Sequence, residues 1–192
     1  MNRFPAVILA SASPRRRQLL AEADIDFEVK PADIVETRHD GENVEHYVLR
    51  MAREKAKAVS CENPGRIVIA ADTVVALDNE VFGKPGDLAE ARRFLKTLSG
   101  RCHHVLTGVA IVFEDGRLDN WLCRSDVWFK QLDDVRIGEY LEKVNPLDKA
   151  GAYAIQQHGE MIVEKVEGLL SNIIGLPVEE VLERLGEVGG LG

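Results

Sequence analysis

The apolar positions of this chain follow two periods, and the places where one gives way to the other mark out its elements. Residues 6–11 (AVILAS) form a short apolar run, the pattern of a buried strand. Ser13 and Pro14 then open a helix, serine as N-cap and proline at the first helical position, where a missing N–H costs nothing. Leu19, Leu20 and Ala23 give that helix its inner face. Residues 27–34 read as an extended segment interrupted by Pro31, and residues 39–43 as a polar loop. Over residues 44–60 the apolar positions recur at three-and-four spacing (Val44, Tyr47, Val48, Met51, Ala52), which predicts a strongly amphipathic helix. The stripe continues onto Lys55, at the edge of the inward face, while Arg50, Arg53, Glu54 and Lys57 fall largely off it.

Residues 66–77 (RIVIAADTVVAL) are the most strand-like in the chain, with Asp72 in their middle. Asp78-Asn79 predicts a turn from which residues 80–85 run back. Asp87 caps a helix whose expected inner face is Leu88, Ala91, Leu95 and Leu98, closed by Gly100. Two β-rich runs, 104–114 and 117–129, flank Asp115-Gly116, a hairpin signal. Asp133 caps a helix to about Val144, and residues 146–159, rich in small side chains, read as a functional loop. A short strand is expected at 161–166. Pro177 opens a last helix with Val178, Val181, Leu182 and Leu185 inside, and residues 187–192 are expected to fray. There is no repeat and no long linker. Strands and helices alternate early and a hairpin follows, which predicts an α/β fold with a mixed sheet.

A chain of 192 residues suits one domain, 1–192, with room for two lobes. The formal net charge of −8 argues against a nucleic-acid surface, which must be basic, but leaves room for a local positive pocket that takes a small anion. No apolar run approaches the ~20 residues of a membrane span, and the N-terminal stretch lacks a signal-peptide pattern. Three cysteines, Cys61, Cys102 and Cys123, lie far apart without a CxxC pair, so the chain reads as cytoplasmic and free of disulfides. Cys102-His103-His104 lacks a second ligand pair at zinc-like spacing, and the cysteines read as small buried hydrophobes.

The chemistry begins at Ser11–Arg17. Where a strand ends and a helix starts, free backbone N–H groups and the helix dipole converge on one spot. Arg15, Arg16 and Arg17 fill the first turn, where like charge costs roughly 0.3–1 kcal/mol per residue. A bound polyphosphate would offset that, since each charge-assisted hydrogen bond contributes ~1.5–3 kcal/mol; the other reading is a solvated basic turn. Setting Thr73 aside, residues 67–77 are aliphatic except for Asp72. A carboxylate there needs a cation or donors beside it. It is a metal ligand or general base at the mouth of the sheet, or else the strand ends at Ala71 and Asp72 belongs to a turn. Lys55 lies on the inward stripe and Lys84 in the rigid turn Gly83-Lys84-Pro85. Each, taken singly, reads as a snorkelling surface lysine. GxxxxGK[ST], GxGxxG after a strand, and GxSxG are all missing, so P-loop, dinucleotide and α/β-hydrolase sites are set aside.

Taken together, the motifs are recognisable. LASASPRRRQLL (9–20), Ile34-Val35-Glu36, AREKA (52–56), AADTVV (70–75), GKP (83–85), LSG (98–100), HVLTGV (104–109), DKAGAYAIQ (148–156) and GLP (175–177) follow one another in the order of one family. Over nearly its whole length the chain resembles the Maf family of nucleoside triphosphate pyrophosphatases.

The resemblance implies a fold similar to the inosine triphosphate pyrophosphatases, an elongated mixed sheet flanked by helices, in two lobes around a cleft. It implies hydrolysis between the α and β phosphates with a divalent cation, Mg2+ or Mn2+. Asp72 matches the catalytic proton acceptor, Glu36 an acidic residue of the site, and Lys55 and Lys84 its lysines. Ser11, Arg15 and Arg16 match phosphate-binding positions, and Arg15, Thr73 and Gln156 match positions tied to base specificity. The 148–156 loop looks like that of the subgroup acting on dTTP and UTP; the 7-methyl-GTP subgroup typically has Glu in place of Gln156. An amide both donates and accepts, which suits the edge of thymine or uracil. Val35 stands where the family has an acid, and Ala154 and Gln157 where its loop often has glycine, so base preference is less fixed than reaction type. Glu36 and Asp72 are hard oxygen donors expected to hold the cation. Arg15, Arg16, Lys55 and Lys84 are expected to neutralise phosphate charge. The competing expectations are the same chemistry on another base, or a nucleotide-binding regulator of cell division with little catalysis. The expected partner is a small nucleoside triphosphate, without nucleic acid or membrane, and a homodimer is the family-level expectation.

Overall fold

The computed structural model describes residues 7–188; of the segment expected to fray, 189–192 lies outside them, while residues 187–188 are the end of the last helix. The chain builds a seven-stranded mixed sheet from β1 (Val7–Leu9), β2 (Phe27–Val29), β3 (Ile67–Leu77), β4 (Glu80–Phe82), β5 (Cys102–Val112), β6 (Leu118–Phe129) and β7 (Val163–Glu167). Its helices are α1 (Pro14–Glu22), α2 (Val44–Glu62), α3 (Leu88–Leu98), α4 (Asp134–Lys143), α5 (Leu170–Ile174) and α6 (Val178–Val188). The strand order is β2-β1-β3-β5-β6-β7, with β4 paired to β3. β1 runs parallel to both β2 and β3, whereas the β3–β4 and β6–β7 pairs are antiparallel, so the sheet is mixed as expected. No helix among the described residues is long and apolar enough to cross a membrane.

Two compact units divide the chain. The first gathers the residues up to Asp72, Thr107–Cys123 and those from Gly175 on. Its core includes Ile8, Ala10, Ala52, Ala56, Val59, Val68, Ala70 and Ala110. Small side chains dominate here, and the closest approach is at Gly108. A Cβ on it would lie 2.2 Å from the Val48 carbonyl oxygen, so the glycine of the HVLTGV motif lets β5 and α2 touch backbone to backbone. α2 starts at Asn43, whose side chain accepts from the Glu45 N–H at 2.7 Å.

The second unit spans Thr73–Leu106 and Arg124–Ile174 and is built around larger side chains, among them Phe82, Phe94, Leu95, Phe129, Ile137 and Tyr140. The expected turn at Asp78-Asn79 has both residues at positive φ (49° and 69°), the backbone of a two-residue hairpin. Asp87 and Asp133 cap α3 and α4 as expected, accepting from the N–H groups of Glu90 and Arg136. Leu88, expected inside, is instead 58% exposed, and Phe94 takes the inner position. Leu88 is the first residue of α3, where the turn has not yet met the core. The five-residue α5 is too short to carry a periodic signal and was not foreseen.

Ser13 is the N-terminal boundary of α1, but its hydroxyl makes no capping bond. Its own N–H donates to Ser11 Oγ at 3.2 Å, so the turn before the helix is tied by Ser11.

Candidate active site

β1 is aligned in parallel with β3, Leu9 opposite Ile69, and the ladder ends with the Ala10 N–H on the Ile69 carbonyl at 2.8 Å. The turn to α1 therefore leaves at the carboxyl end of β1, beside residues 70–72 of β3. In open parallel sheets this edge is where ligands bind. β3 does not end at Ala71, so Asp72 lies within a strand and not in a turn.

Asp72 is 7% exposed and finds its partner in Lys55, itself 8% exposed, whose Nζ donates to Asp72 Oδ1 at 2.7 Å. The same ammonium donates to Glu36 Oε2 at 2.7 Å. The amphipathic pattern had left Lys55 at the edge of the inward stripe. The structure shows why it is there: a lysine on α2 reaches one carboxylate on β3 and another on the loop between β2 and α2. Glu36 keeps half of its side chain in solvent, whereas the Asp72 side chain is only 10% exposed.

Arg16 ties this pair to the β1–α1 turn. Its Nη1 donates to Ser11 Oγ at 3.1 Å and to the Ala71 carbonyl at 2.8 Å, and its Nε to the Gly175 carbonyl at 2.8 Å. Burial pulls its pKa below the ordinary arginine value, Asp72 and Glu36 oppose that, and Arg15 adds to it. Ser11 is 8% exposed and receives both this guanidinium and the Ser13 N–H. Arg15 stands half-buried in the first turn of α1. Ser11, Arg16, Glu36, Lys55 and Asp72 are thus joined through side-chain and backbone bonds within one unit.

Two groups near the site were not foreseen as such. Tyr47, taken from the pattern as a core position, is half-buried. Its hydroxyl pKa is pushed up to about 12, by burial first and then by the Asp72 and Glu36 carboxylates. Arg50, taken as lying off the inner face, is only 15% exposed. It clasps the Glu42 carboxylate with Nε and Nη2, each at 2.7 Å, and donates from Nη2 to the Thr37 carbonyl at 3.0 Å. That hydrogen bonding holds the Glu42 carboxyl down at about 2. Arg50 and Glu42 are eight residues apart across a helix start, a spacing that no helical pair rule picks out.

The remaining expected residues belong to the second unit. Thr73 follows Asp72 in β3 and is half-buried. Lys84 is exposed after β4, next to Gly83, whose carbonyl accepts the Gly151 N–H at 3.1 Å. Gln156 is exposed in the turn 155–158. The segment before it is fastened within its own unit: Gly151 (φ +68°) abuts Val75, and the Tyr140 hydroxyl accepts the Ala154 N–H at 3.0 Å. Tyr153 shares a 2.9 Å hydrogen bond with His103 Nε2. His103 is completely buried, and that burial pushes its pKa down to about 3.

The Cys102-His103-His104 triplet splits by strand alternation, since neighbouring residues face opposite sides. His103 points into the core, while Cys102 and His104 share the other face with Asp126 of β6. Their ligand atoms lie within 4.8 Å of one another, a grouping the spacing along the chain did not suggest. The cationic position there is taken by Arg124, which donates from Nε to Asp126 Oδ1 at 2.9 Å. Glu36 and Asp72 offer hard oxygen donors of the kind divalent cations take: two carboxylates within one hydrogen bond of the same cationic nitrogen, one of them half in solvent.

Comparison with known proteins bears on this arrangement. The family model described as Maf-like protein matches residues 6–188. A dTTP/UTP pyrophosphatase from Myxococcus xanthus is 51% identical over 184 residues, covering 95% of this chain and 92% of that one. A dTTP/UTP pyrophosphatase from Anaeromyxobacter dehalogenans is 46% identical over 188 residues, covering 96% and 95%. Among solved structures, the Staphylococcus aureus Ham1 protein aligns with a TM-score of 0.50 and 18% identity over 95% of this chain and 100% of that one, a likeness of fold alone. With a family model matching residues 6–188 and relatives 46–51% identical over nearly the whole chain, the chain belongs to the Maf family.

Proposed function

We propose that this chain is a nucleoside triphosphate pyrophosphatase that hydrolyses dTTP and UTP to the monophosphate and pyrophosphate. The observation that carries the chemistry is the meeting of Glu36 and Asp72 on Lys55 Nζ, each at 2.7 Å. The choice of dTTP and UTP is supported by the names of the relatives.

Glu36 and Asp72 would hold a divalent cation, Mg2+ or Mn2+. When bound, the cation neutralises phosphate charge and makes a water more acidic. Asp72, nearly buried and fixed within β3, orients the attacking water and accepts its proton as the oxygen attacks the α phosphorus and the bond to the β-phosphate oxygen breaks. Ser11, Arg15 and the N–H groups at the start of α1 bind phosphate oxygens. Arg16, through Ser11 and the Ala71 carbonyl, holds that turn beside Asp72 and adds positive potential. Lys55 and Lys84 stabilise charge on the phosphates and on the departing pyrophosphate. Thr73 and Gln156, with Arg15, read the base. The proposed setting is the cytoplasm, with a house-cleaning role and a homodimer as the assembly.

The deciding experiment is a panel of canonical and modified nucleoside triphosphates, assayed for pyrophosphate release with Mg2+ or Mn2+. Release from dTTP and UTP well above the purine nucleotides and 7-methyl-GTP is expected. Asp72→Asn should lower turnover by about 10²–10⁴-fold while the far-UV spectrum is unchanged. A fully active Asp72→Asn enzyme overturns the mechanism. Preferred hydrolysis of another base overturns the specificity, and tight dTTP binding without pyrophosphate release would make the chain a nucleotide-binding regulator.

A further inference from the structure

Glu36 sits on a loop of fourteen residues, 30–43, that has no regular structure between β2 and α2. Its carboxylate is half in solvent and accepts from Lys55, whose place a cation would contest. Something else must hold the loop.

The residues that do so are beside it in the chain. The Thr37 carbonyl, one peptide from Glu36, accepts from Arg50 Nη2 at 3.0 Å. Glu42, at the far end of the loop, is gripped by the same guanidinium through both carboxylate oxygens. Glu42 Oε2 also takes the His39 N–H at 3.1 Å, the Glu42 N–H reaches the His39 carbonyl at 3.0 Å, and Arg38 Nε reaches the Glu42 carbonyl at 2.8 Å. Residues 37–42 thus fold into a closed knot that hangs from one side chain of α2. The Arg50 and Glu42 side chains are 15% and 12% exposed, and Arg50 lies over the Tyr47 ring with 5.7 Å from guanidinium to centroid, so the clamp is packed as well as bonded. A bidentate fork shielded from water is the strong form of this pairing. It engages none of the atoms that a cation or phosphate would claim.

We infer that Arg50 is a positioning residue for the reaction: by clasping Glu42 and the Thr37 carbonyl it holds the Glu36 loop on α2, so that the Glu36 carboxylate meets the ammonium that also holds Asp72. The inference rests on the proposed role of Glu36 and Asp72 as cation ligands. α2 then carries both devices of the site, with Lys55 occupying the carboxylates and Arg50 fixing where one of them stands. A lysine in place of Arg50 would keep the charge but could not serve Glu42 and the carbonyl together.

The test uses the intact chain with Arg50→Ala, Arg50→Lys, Glu36→Gln and the double variant Arg50→Ala/Glu36→Gln. Mn2+ binding is read from loss of the free-Mn2+ electron paramagnetic resonance signal, and dTTP turnover is read in parallel. Arg50→Ala should weaken Mn2+ binding and lower kcat/KM by about 10- to 100-fold, with Arg50→Lys recovering only part. Once Glu36 is gone, removing Arg50 as well should cost nothing more in either readout. Losses that multiply in the double variant, or an Arg50→Ala protein that binds Mn2+ like wild type, overturn the inference. If Arg50→Ala does not fold, Glu42→Gln, which retains the side chain's shape, takes its place in the same cycle. A wild-type protein that binds Mn2+ but cleaves no nucleotide would sink the proposed function and leave the Mn2+ cycle still decisive for Arg50.

Discussion

Lys55 is a cation held between two carboxylates, and its removal separates a structural role from a functional one. The Asp72 side chain is 10% exposed, so Lys55→Met leaves a buried carboxylate without its partner. Breaking such a pair costs about 3–5 kcal/mol. Lys55→Met should therefore melt well below wild type in metal-free buffer. Because a divalent cation can take the vacated position, added Mn2+ should raise its melting temperature more than that of wild type. Equal shifts for both proteins would show that Lys55 and the ion do not compete for the two carboxylates. A second residue-scale expectation concerns His103, whose folded pKa of about 3 lies below the ordinary 6.5 because it is buried. Between those values the unfolded chain binds a proton that the folded chain refuses. This part of the stability is complete above about pH 6.5 and is lost as pH falls toward 3. Urea titrations at pH 7 and pH 5 should show the stability advantage of wild type over His103→Gln shrinking by about 2 kcal/mol. A gap that stays constant would mean His103 is not held neutral.

At the scale of elements, the contact between α2 and β5 is the most demanding in the first unit. Gly108 has the Val48 carbonyl oxygen 2.2 Å from where a Cβ would stand, and backbone cannot swing aside as a side chain can. Gly108→Ala should destabilise by about 3 kcal/mol or more, measured by urea unfolding, and should also lower activity, because α2 carries Lys55. A neutral substitution would mean the helix has room to shift. The elements themselves were largely legible. Asp87 and Asp133 announced their helices because a capping carboxylate acts within three residues. The Asp78-Asn79 and Asp115-Gly116 turns were equally local. Leu88 was misplaced because periodicity fixes an angle around the helix axis but not where the core begins along it. Arg50 was passed over for a similar reason. Its partners, Thr37 and Glu42, lie on an irregular loop that no period describes.

For the whole molecule, the residues given roles in the proposal fall in both units. The carboxylates, Lys55 and the β1–α1 turn belong to the first, which is built on small core residues. Lys84 and Gln156 belong to the second, which is built on large ones. If Gln156 reads the base, Gln156→Ala should raise KM for dTTP and UTP about tenfold while kcat changes little, since one hydrogen-bonding edge is worth about 1–1.5 kcal/mol. Steady-state kinetics on both substrates checks this, and a loss confined to kcat would place Gln156 in the chemistry instead.

The order of motifs along the chain by itself determined the family and the mixed α/β class and named the candidate site residues, because these depend on local pattern and on residue identity. Only the tertiary structure decided which charges meet. Asp72 and Lys55 are seventeen positions apart and Lys55 and Glu36 nineteen, and no periodicity links a strand, a helix and a loop across such spans. Sequence could say that a buried carboxylate requires a partner; the packing of α2 against the sheet chose Lys55 for it, and set Arg50 to hold the loop that brings Glu36 there.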